Sequence, residues 1–161
     1  MIKDINTLIQ PNGNFRWRAV TASNEATRLG IDNSIKEQYI IDNVLYHVTN
    51  LQKIRDIFGL TFVSSWYRTP QLCKAIGSSE TSNHITGGCT DIEVPSISLV
   101  KLGFYIIENL PFEELIFEYM PNGWIHYASF KDRNSKTIKI KDAQYNFKVI
   151  SYDEAKKYFK V

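Results

Sequence analysis

Apolar positions along the chain fall into blocks separated by glycine, proline and polar clusters, and the blocks follow two different periods. Between Ser34 and Phe58, Ile35, Tyr39, Leu45, Val48, Leu51, Ile54 and Phe58 recur at spacings of three, four or six, the stripe of a long amphipathic helix. Asn33 or Ser34 supplies its N-cap and Gly59 its stop. A short helix is predicted after Ser23, with Ala26 and Leu29 apolar and Gly30 at its end. Another runs from Gln71 to Ile76 and closes at Gly77, following the Arg68-Thr69-Pro70 turn. Ser96 caps a further helix to Asn109, with Leu99, Leu102, Ile106 and Leu110 on its inner face. Leu60–Ser65, Thr90–Val94, Glu114–Tyr119 and Trp124–Phe130 read as strands. Lys136–Lys141 and Gln144–Ser151 add two more, for which a hairpin is one arrangement, and Asp153–Lys160 reads as a terminal helix. No repeat, low-complexity tract or linker interrupts the pattern. The prediction is a single α+β domain over residues 1–161, with helices packed against a mostly antiparallel sheet that carries the site.

Composition narrows this only slightly. A chain of 161 residues is long enough for one real core, and 43% apolar with 22% charged residues is ordinary for a soluble globular protein. A formal charge of +2 is too small to imply nucleic acid, although it tolerates an anionic polymer. Phe15-Arg16-Trp17-Arg18 interleaves aromatics with cations, but packing of Phe15 and Trp17 on the core is the simpler reading, and no nucleic-acid partner is expected. Met1–Asn6 shows no apolar leader, and no apolar run approaches the ~18 residues of a membrane helix. Synthesis in the cytoplasm without a signal peptide, no membrane insertion and a monomeric state are the expectations. Cys73 and Cys89 lack a C-x-x-C partner and read as buried small hydrophobes.

Candidate chemistry sits in two segments. Ser82-Asn83-His84-Ile85-Thr86-Gly87-Gly88-Cys89-Thr90-Asp91 and Gly123-Trp124-Ile125-His126 hold two of the three histidines. Imidazole and carboxylate together suit zinc, and catalytic zinc takes three protein ligands with the fourth position left to water. His84, Asp91 and His126 would supply such a set, with one Zn²⁺ per chain, the two glycines letting the backbone turn between the first two. On spacing alone, His84 and Asp91 read equally well as a surface loop followed by a strand-end carboxylate. The third histidine, His47, has no acidic or histidine partner at ligand spacing and reads as a surface or half-buried structural residue.

The surrounding motifs change that weighting. Ser65-Trp66-Tyr67-Arg68-Thr69-Pro70, the Ser82–Ile92 segment, Glu118, and Trp124-Ile125-His126-Tyr127-Ala128-Ser129 follow one another in order. This series resembles the D-Ala-D-Ala carboxypeptidase-type zinc peptidases, in particular their small phage and bacterial members, from about residue 15 to 130. The resemblance implies a zinc-dependent peptidase acting on peptidoglycan peptides, with His84, Asp91 and His126 on the metal. It also implies that Arg68 touches substrate, for which the alternative is a structural salt bridge. Ser82 would orient a ligand or carbonyl by hydrogen bonding. Cys89 stands where relatives usually carry alanine, and reading it as a fourth ligand would close the site and abolish catalysis.

Many relatives place an acid three positions before the last histidine, where this chain has Gly123. The general base is therefore assigned to Glu118. A three-residue Pro121-Asn122-Gly123 turn would pair Met120 with Trp124 and set Glu118 directly opposite His126, with Cβ atoms ~5 Å apart. The alternative is a solvated strand carboxylate. The functional expectation is a D,D-carboxypeptidase or endopeptidase of cell-wall stem or cross-link peptides, matching a phage endolysin released through a membrane hole made by another protein. The competing expectation is a wall-binding or virion module that keeps the metal without turnover, the acid missing at Gly123 being its support.

Overall fold

The computed structural model describes residues 4–144 and 146–161. Met1 to Lys3, part of the segment read as lacking a leader, and Tyr145, inside the expected Gln144–Ser151 strand, lie outside the described residues. Six strands, β1 (Phe62–Ser65), β2 (Cys89–Glu93), β3 (Glu114–Glu118), β4 (Trp124–Ala128), β5 (Thr137–Lys141) and β6 (Phe147–Ile150), form one sheet in the order β1-β2-β4-β3-β5-β6. Every neighbouring pair is antiparallel except β3 and β5, which run parallel. Helices α1 (Trp17–Thr21), α2 (Asn24–Leu29), α3 (Gln38–Phe58), α4 (Pro70–Ala75), α5 (Leu99–Asn109) and α6 (Tyr152–Phe159) complete the α+β architecture. No helix among the described residues is long and apolar enough to cross a membrane.

Local chemistry explains the element ends. Ser23 Oγ accepts from the Ala26 N–H to start α2, and Gly30 ends it with φ 64°. Thr69 caps α4, whose first residue is Pro70. Ser151 and Glu154 close a reciprocal capping box at α6. Two expected boundaries move. The long helix begins at Gln38 rather than Ser34, because the Asp32 carboxylate accepts the Ser34 N–H at 2.9 Å and holds that stretch out of helix. The cap of α5 is Ser98 rather than Ser96, whose hydroxyl is engaged by the Phe58 carbonyl.

The buried face of α3 carries Ile40, Val44, His47, Val48, Leu51 and Ile54, while Tyr39 and Leu45 are 53% and 40% exposed. Val48, Leu51 and Ile54 of the expected stripe are buried and Ile35 and Phe58 pack against the core; only Tyr39 and Leu45 leave it, their places on the inner face taken by Ile40, Val44 and His47. His47 is fully buried, correcting the surface or half-buried reading. Its Nδ1 is 2.7 Å from Ser129 Oγ and its Nε2 2.9 Å from Thr90 Oγ1, so it ties α3 to β2 and to the end of β4. Tyr127 and Trp66 rings pack around it.

Strand alternation divides the sheet. Ile92, Leu115, Phe117, Ile125 and Tyr127 enter the hydrophobic core, where α6 brings Phe159 to a ring separation of 4.5 Å from Phe117. Residues of opposite parity, Asp91, Glu114, Glu118 and His126 among them, share the other face and line a cleft of about 650 Å³.

The β3–β4 turn differs from the expected one. Glu118 pairs with Trp124 and Ile116 with His126, so five residues, Tyr119 to Gly123, span the turn. Tyr119 adopts φ 52°, and Gly123 lies so close beneath the preceding strand that a Cβ would sit 1.8 Å from the Glu118 carbonyl oxygen. The three-residue turn fails because the chain needs that extra length to pass Gly123 under Glu118. Glu118 is thus displaced by two residues from His126, a shift that preserves the face.

Two outcomes follow. Gly123→Ala forces the turn open and lowers stability by several kcal/mol, read from chemical unfolding midpoints. Burial holds the His47 pKa down at about 3, so the unfolded chain binds the extra proton between its own pKa, near 6.5, and 3. In chelator-treated protein, stability falls on acidification from pH 6.5 towards 4.5 by up to about 1.4 kcal/mol per pH unit. His47→Leu abolishes that slope while costing about 2 kcal/mol at pH 7 for the stranded Thr90 and Ser129 hydroxyls.

Candidate metal centre and active site

His84 sits in a 3-10 turn, Asn83–Thr86, whose N-terminal Ser82 hydroxyl accepts the His84 N–H at 3.4 Å. Gly87 ends the turn at φ 80°, and a Cβ there would meet Ile40 of α3 at 2.7 Å. The turn is therefore clamped between the long helix and the sheet. The His84 ring is 2% exposed, and its Nδ1–H donates to the Trp66 carbonyl. That bond leaves Nε2 facing the cleft, where it lies 3.2 Å from Asp91 Oδ1. Asp91 pairs with His126 across β2 and β4, and the same oxygen is 3.0 Å from His126 Nδ1.

The second carboxylate oxygen of Asp91 accepts from Arg68 Nη2 at 2.9 Å, and Arg68 Nε donates to Ser65 Oγ at 2.8 Å. An irregularity in β1 between Val63 and Ser65 aligns Ser65 with Asp91 and makes this pairing possible. Arg68 lines the cleft, with one donor on Asp91 and a second on Ser65 that fixes the guanidinium in place. Glu118 is buried, with Oε1 4.0 Å from His126 Nδ1 and Oε2 accepting from Lys141 Nζ at 2.9 Å. Trp124 lines the same cleft, and its buried indole N–H has no protein partner among the described residues.

Three features lie beyond the sequence reading. Glu114 Oε1 is 3.4 Å from His126 Nε2, and its other oxygen accepts from Lys139. Its place four residues before Glu118 on one strand face was the available signal. Lys139 and Lys141, the cations on Glu114 and Glu118, come from β5, whose parallel pairing with β3 no local pattern announces. Cys89 Sγ reaches within 3.2 Å of His126 Nε2.

Electrostatically the cluster asks for positive charge. Burial pushes His84 down, but the Cys89 and Asp91 charges outweigh it and raise its pKa to about 9. Burial is likewise overcome at His126, which is raised, and at Asp91, which both imidazoles hold well below the carboxylate range. For Glu114, burial raises the pKa and hydrogen bonds from His126 and Lys139 bring it down to about 2. A divalent cation would supply the same charge with the rings neutral. Two sets of three donors, His84/Cys89/His126 and Asp91/Glu118/His126, each converge within 4.8 Å. Neither set is the expected trio of His84, Asp91 and His126. The two imidazole contacts of that trio to Asp91 Oδ1, at 3.2 and 3.0 Å, are nonetheless near the ~3.3 Å between neighbouring N and O ligands in a tetrahedral zinc shell, and the donor chemistry suits zinc.

No curated protein compared with this chain matches it. The family model for Peptidase M15 matches residues 13–128, from the segment before α1 to the end of β4. That span is more than half of the chain and takes in every donor of the cluster. The chain belongs to the Peptidase M15 family of zinc-dependent metallopeptidases.

Proposed function

We propose that the chain is a zinc-dependent peptidase of peptidoglycan, hydrolysing stem or cross-link peptides as a D,D-carboxypeptidase or endopeptidase, with a phage endolysin as its biological setting. His84 Nε2, Asp91 Oδ1 and His126 Nδ1 hold the ion. The observation that carries this is the placement of two imidazole nitrogens 3.2 and 3.0 Å from one oxygen of a buried carboxylate, close to the ligand spacing of a tetrahedral zinc shell. When bound, zinc lowers the pKa of water toward ~7 and polarises the scissile carbonyl.

The remaining work falls to side chains. The Trp66 carbonyl fixes the His84 tautomer, and Arg68 fixes the direction of Asp91. Glu118 takes the proton from the attacking water and delivers it to the departing amine nitrogen. Lys141 holds that carboxylate against the His126 side of the cleft. The acid usual at position 123 has no room here, since a side chain would enter the Glu118 backbone. Glu118 fills its role from the adjoining strand, and this placement favours turnover over a module without it. Arg68, on the cleft wall, also meets a substrate carboxylate or carbonyl oxygen. Ser82 acts from beneath His84 by capping its turn.

Metal analysis of the purified chain should find about one zinc per chain, lost in His84→Ala; a metal-free wild type overturns the ligand assignment. Digestion of purified walls, with fragments identified by mass, should show cleavage of a peptide bond. Glu118→Gln lowers kcat by ~100- to 10,000-fold with zinc retained, and full activity in that variant would remove Glu118 as base. Arg68→Lys keeps the charge but loses the fork, so kcat/KM falls and zinc affinity drops about 10- to 100-fold, measured by chelator competition.

A further inference from the structure

We propose that Glu114 is a positioning residue for the metal centre, a carboxylate that holds the proton of His126 on Nε2 so that Nδ1 stays free for the ion. The inference rests on the metal reading above and deepens it. In the β3–β4 register Ile116 stands opposite His126, which makes Glu114 and Glu118 its two diagonal neighbours on the cleft face. The ring lies between them. Glu118 Oε1 is 4.0 Å from Nδ1, the nitrogen that is also 3.0 Å from Asp91 Oδ1, whereas Glu114 Oε1 is 3.4 Å from Nε2. Two acids of one strand thus meet different nitrogens and serve different tasks.

Tautomer chemistry says what the task of Glu114 is. Neutral imidazole carries one N–H, and a ring that binds a cation through Nδ1 carries it on Nε2. His126 is buried, so that N–H needs an acceptor within the protein. The contacts of Nε2 among the described residues are Glu114 Oε1 and, at 3.2 Å, Cys89 Sγ. A thiol sulfur is a weak acceptor and a carboxylate a strong one.

The carboxylate is held in that place from two sides. Asn83 Nδ2 donates to the same Oε1 at 3.1 Å, and Arg133 Nη2 donates to Asn83 Oδ1 at 2.8 Å, which fixes the end of the amide that faces Glu114. Lys139 donates to Oε2. Asn83 immediately precedes His84, so the turn that offers one imidazole to the ion also steadies the partner of the other. His84 has the reverse arrangement, with Nδ1–H on the Trp66 carbonyl and Nε2 toward Asp91. The two rings are therefore set in opposite tautomers, each by an acceptor behind it. Such an acceptor fixes the direction of the ring and raises its basicity as a ligand.

Heteronuclear NMR of the histidine side chains in the zinc-loaded chain reads the tautomers, and His47→Leu assigns the third ring. In the wild type the proton of His126 should sit on Nε2 and that of His84 on Nδ1. Glu114→Ala should weaken zinc about 10- to 100-fold in chelator competition and speed solvent exchange of the His126 N–H, leaving the His84 signal unchanged. Glu114→Gln keeps an acceptor oxygen, so it should retain the Nε2–H signal and recover part of the affinity. Should the alanine variant fail to fold, Glu114→Gln decides alone: affinity below wild type with the signal retained supports the inference, and wild-type affinity overturns it. Cys89→Ala should leave both signal and affinity in place. Wild-type affinity in Glu114→Ala, or losses that follow Cys89→Ala instead, overturn the inference and leave the metal reading standing. A proton on His126 Nδ1 overturns it together with the assignment of that nitrogen to the ion, and a wild-type chain that binds no zinc overturns both.

Discussion

Two imidazoles directed at one oxygen of a buried carboxylate are the arrangement on which the rest of this structure depends. His84 already donates from Nδ1 to a backbone carbonyl, so its Nε2 can approach Asp91 only as a protonated donor or as a fellow ligand of a cation. His126 meets the same oxygen from the neighbouring strand. With Cys89 beside them, the site must bring in positive charge from outside or raise it by protonating both rings. Desolvation makes either neutral or uncompensated alternatives expensive. A zinc ion would resolve the conflict with little rearrangement, because the two imidazole nitrogens already stand 3.2 and 3.0 Å from Asp91 Oδ1.

Holding donors at such distances needs rigid elements on every side. Asp91 and His126 lie on adjacent central strands, whose mutual register is fixed by the core face behind them. His84 comes from a turn, which is softer, and the structure compensates by clamping it with Gly87 against α3 and with the Trp66 carbonyl. His47 completes the support from below. It bonds Thr90, the residue immediately before Asp91, and Ser129, just beyond β4, so the long helix is anchored to the strands that carry Asp91 and His126 by one neutral ring. One histidine type thus serves two purposes in this chain, separated by which face of the sheet it meets.

Much of this was legible in the residues. The element order, the α+β class and the ordered motifs follow from periodicity, caps and turn residues, and the family match bears out the resemblance those motifs carry. Three things were not legible, each for a physical reason. His47 was placed near the surface because polar character was read as exposure, whereas two hydroxyls across 43 and 82 residues of sequence satisfy it in the core. Glu118 was set opposite His126 because Pro-Asn-Gly fits a short turn, whereas a close backbone approach at Gly123 demands five residues. The period of two rescued the consequence, since a slip of two residues leaves Glu118 on the face of His126, 4.0 Å away. The Glu114–Lys139 and Glu118–Lys141 pairs depend on a parallel pairing between strands that are not consecutive, which no local signal encodes.

Those lysines show how the chain beyond the matched region joins the site. The family match ends at residue 128, yet β5 lies along β3 and sets Lys141 level with Glu118 and Lys139 level with Ile116. Two carboxylates four residues apart beside a metal cluster would repel each other and the Asp91 carboxylate. A cation on each one offsets that repulsion and restricts the direction of the carboxylate. The sheet was therefore extended in the direction that matters for chemistry. Strand β5 brings charge to the cleft, and β6 and α6 cover its far side with Ile150, Ala155 and Phe159 in the core, so that the charged face is held in register.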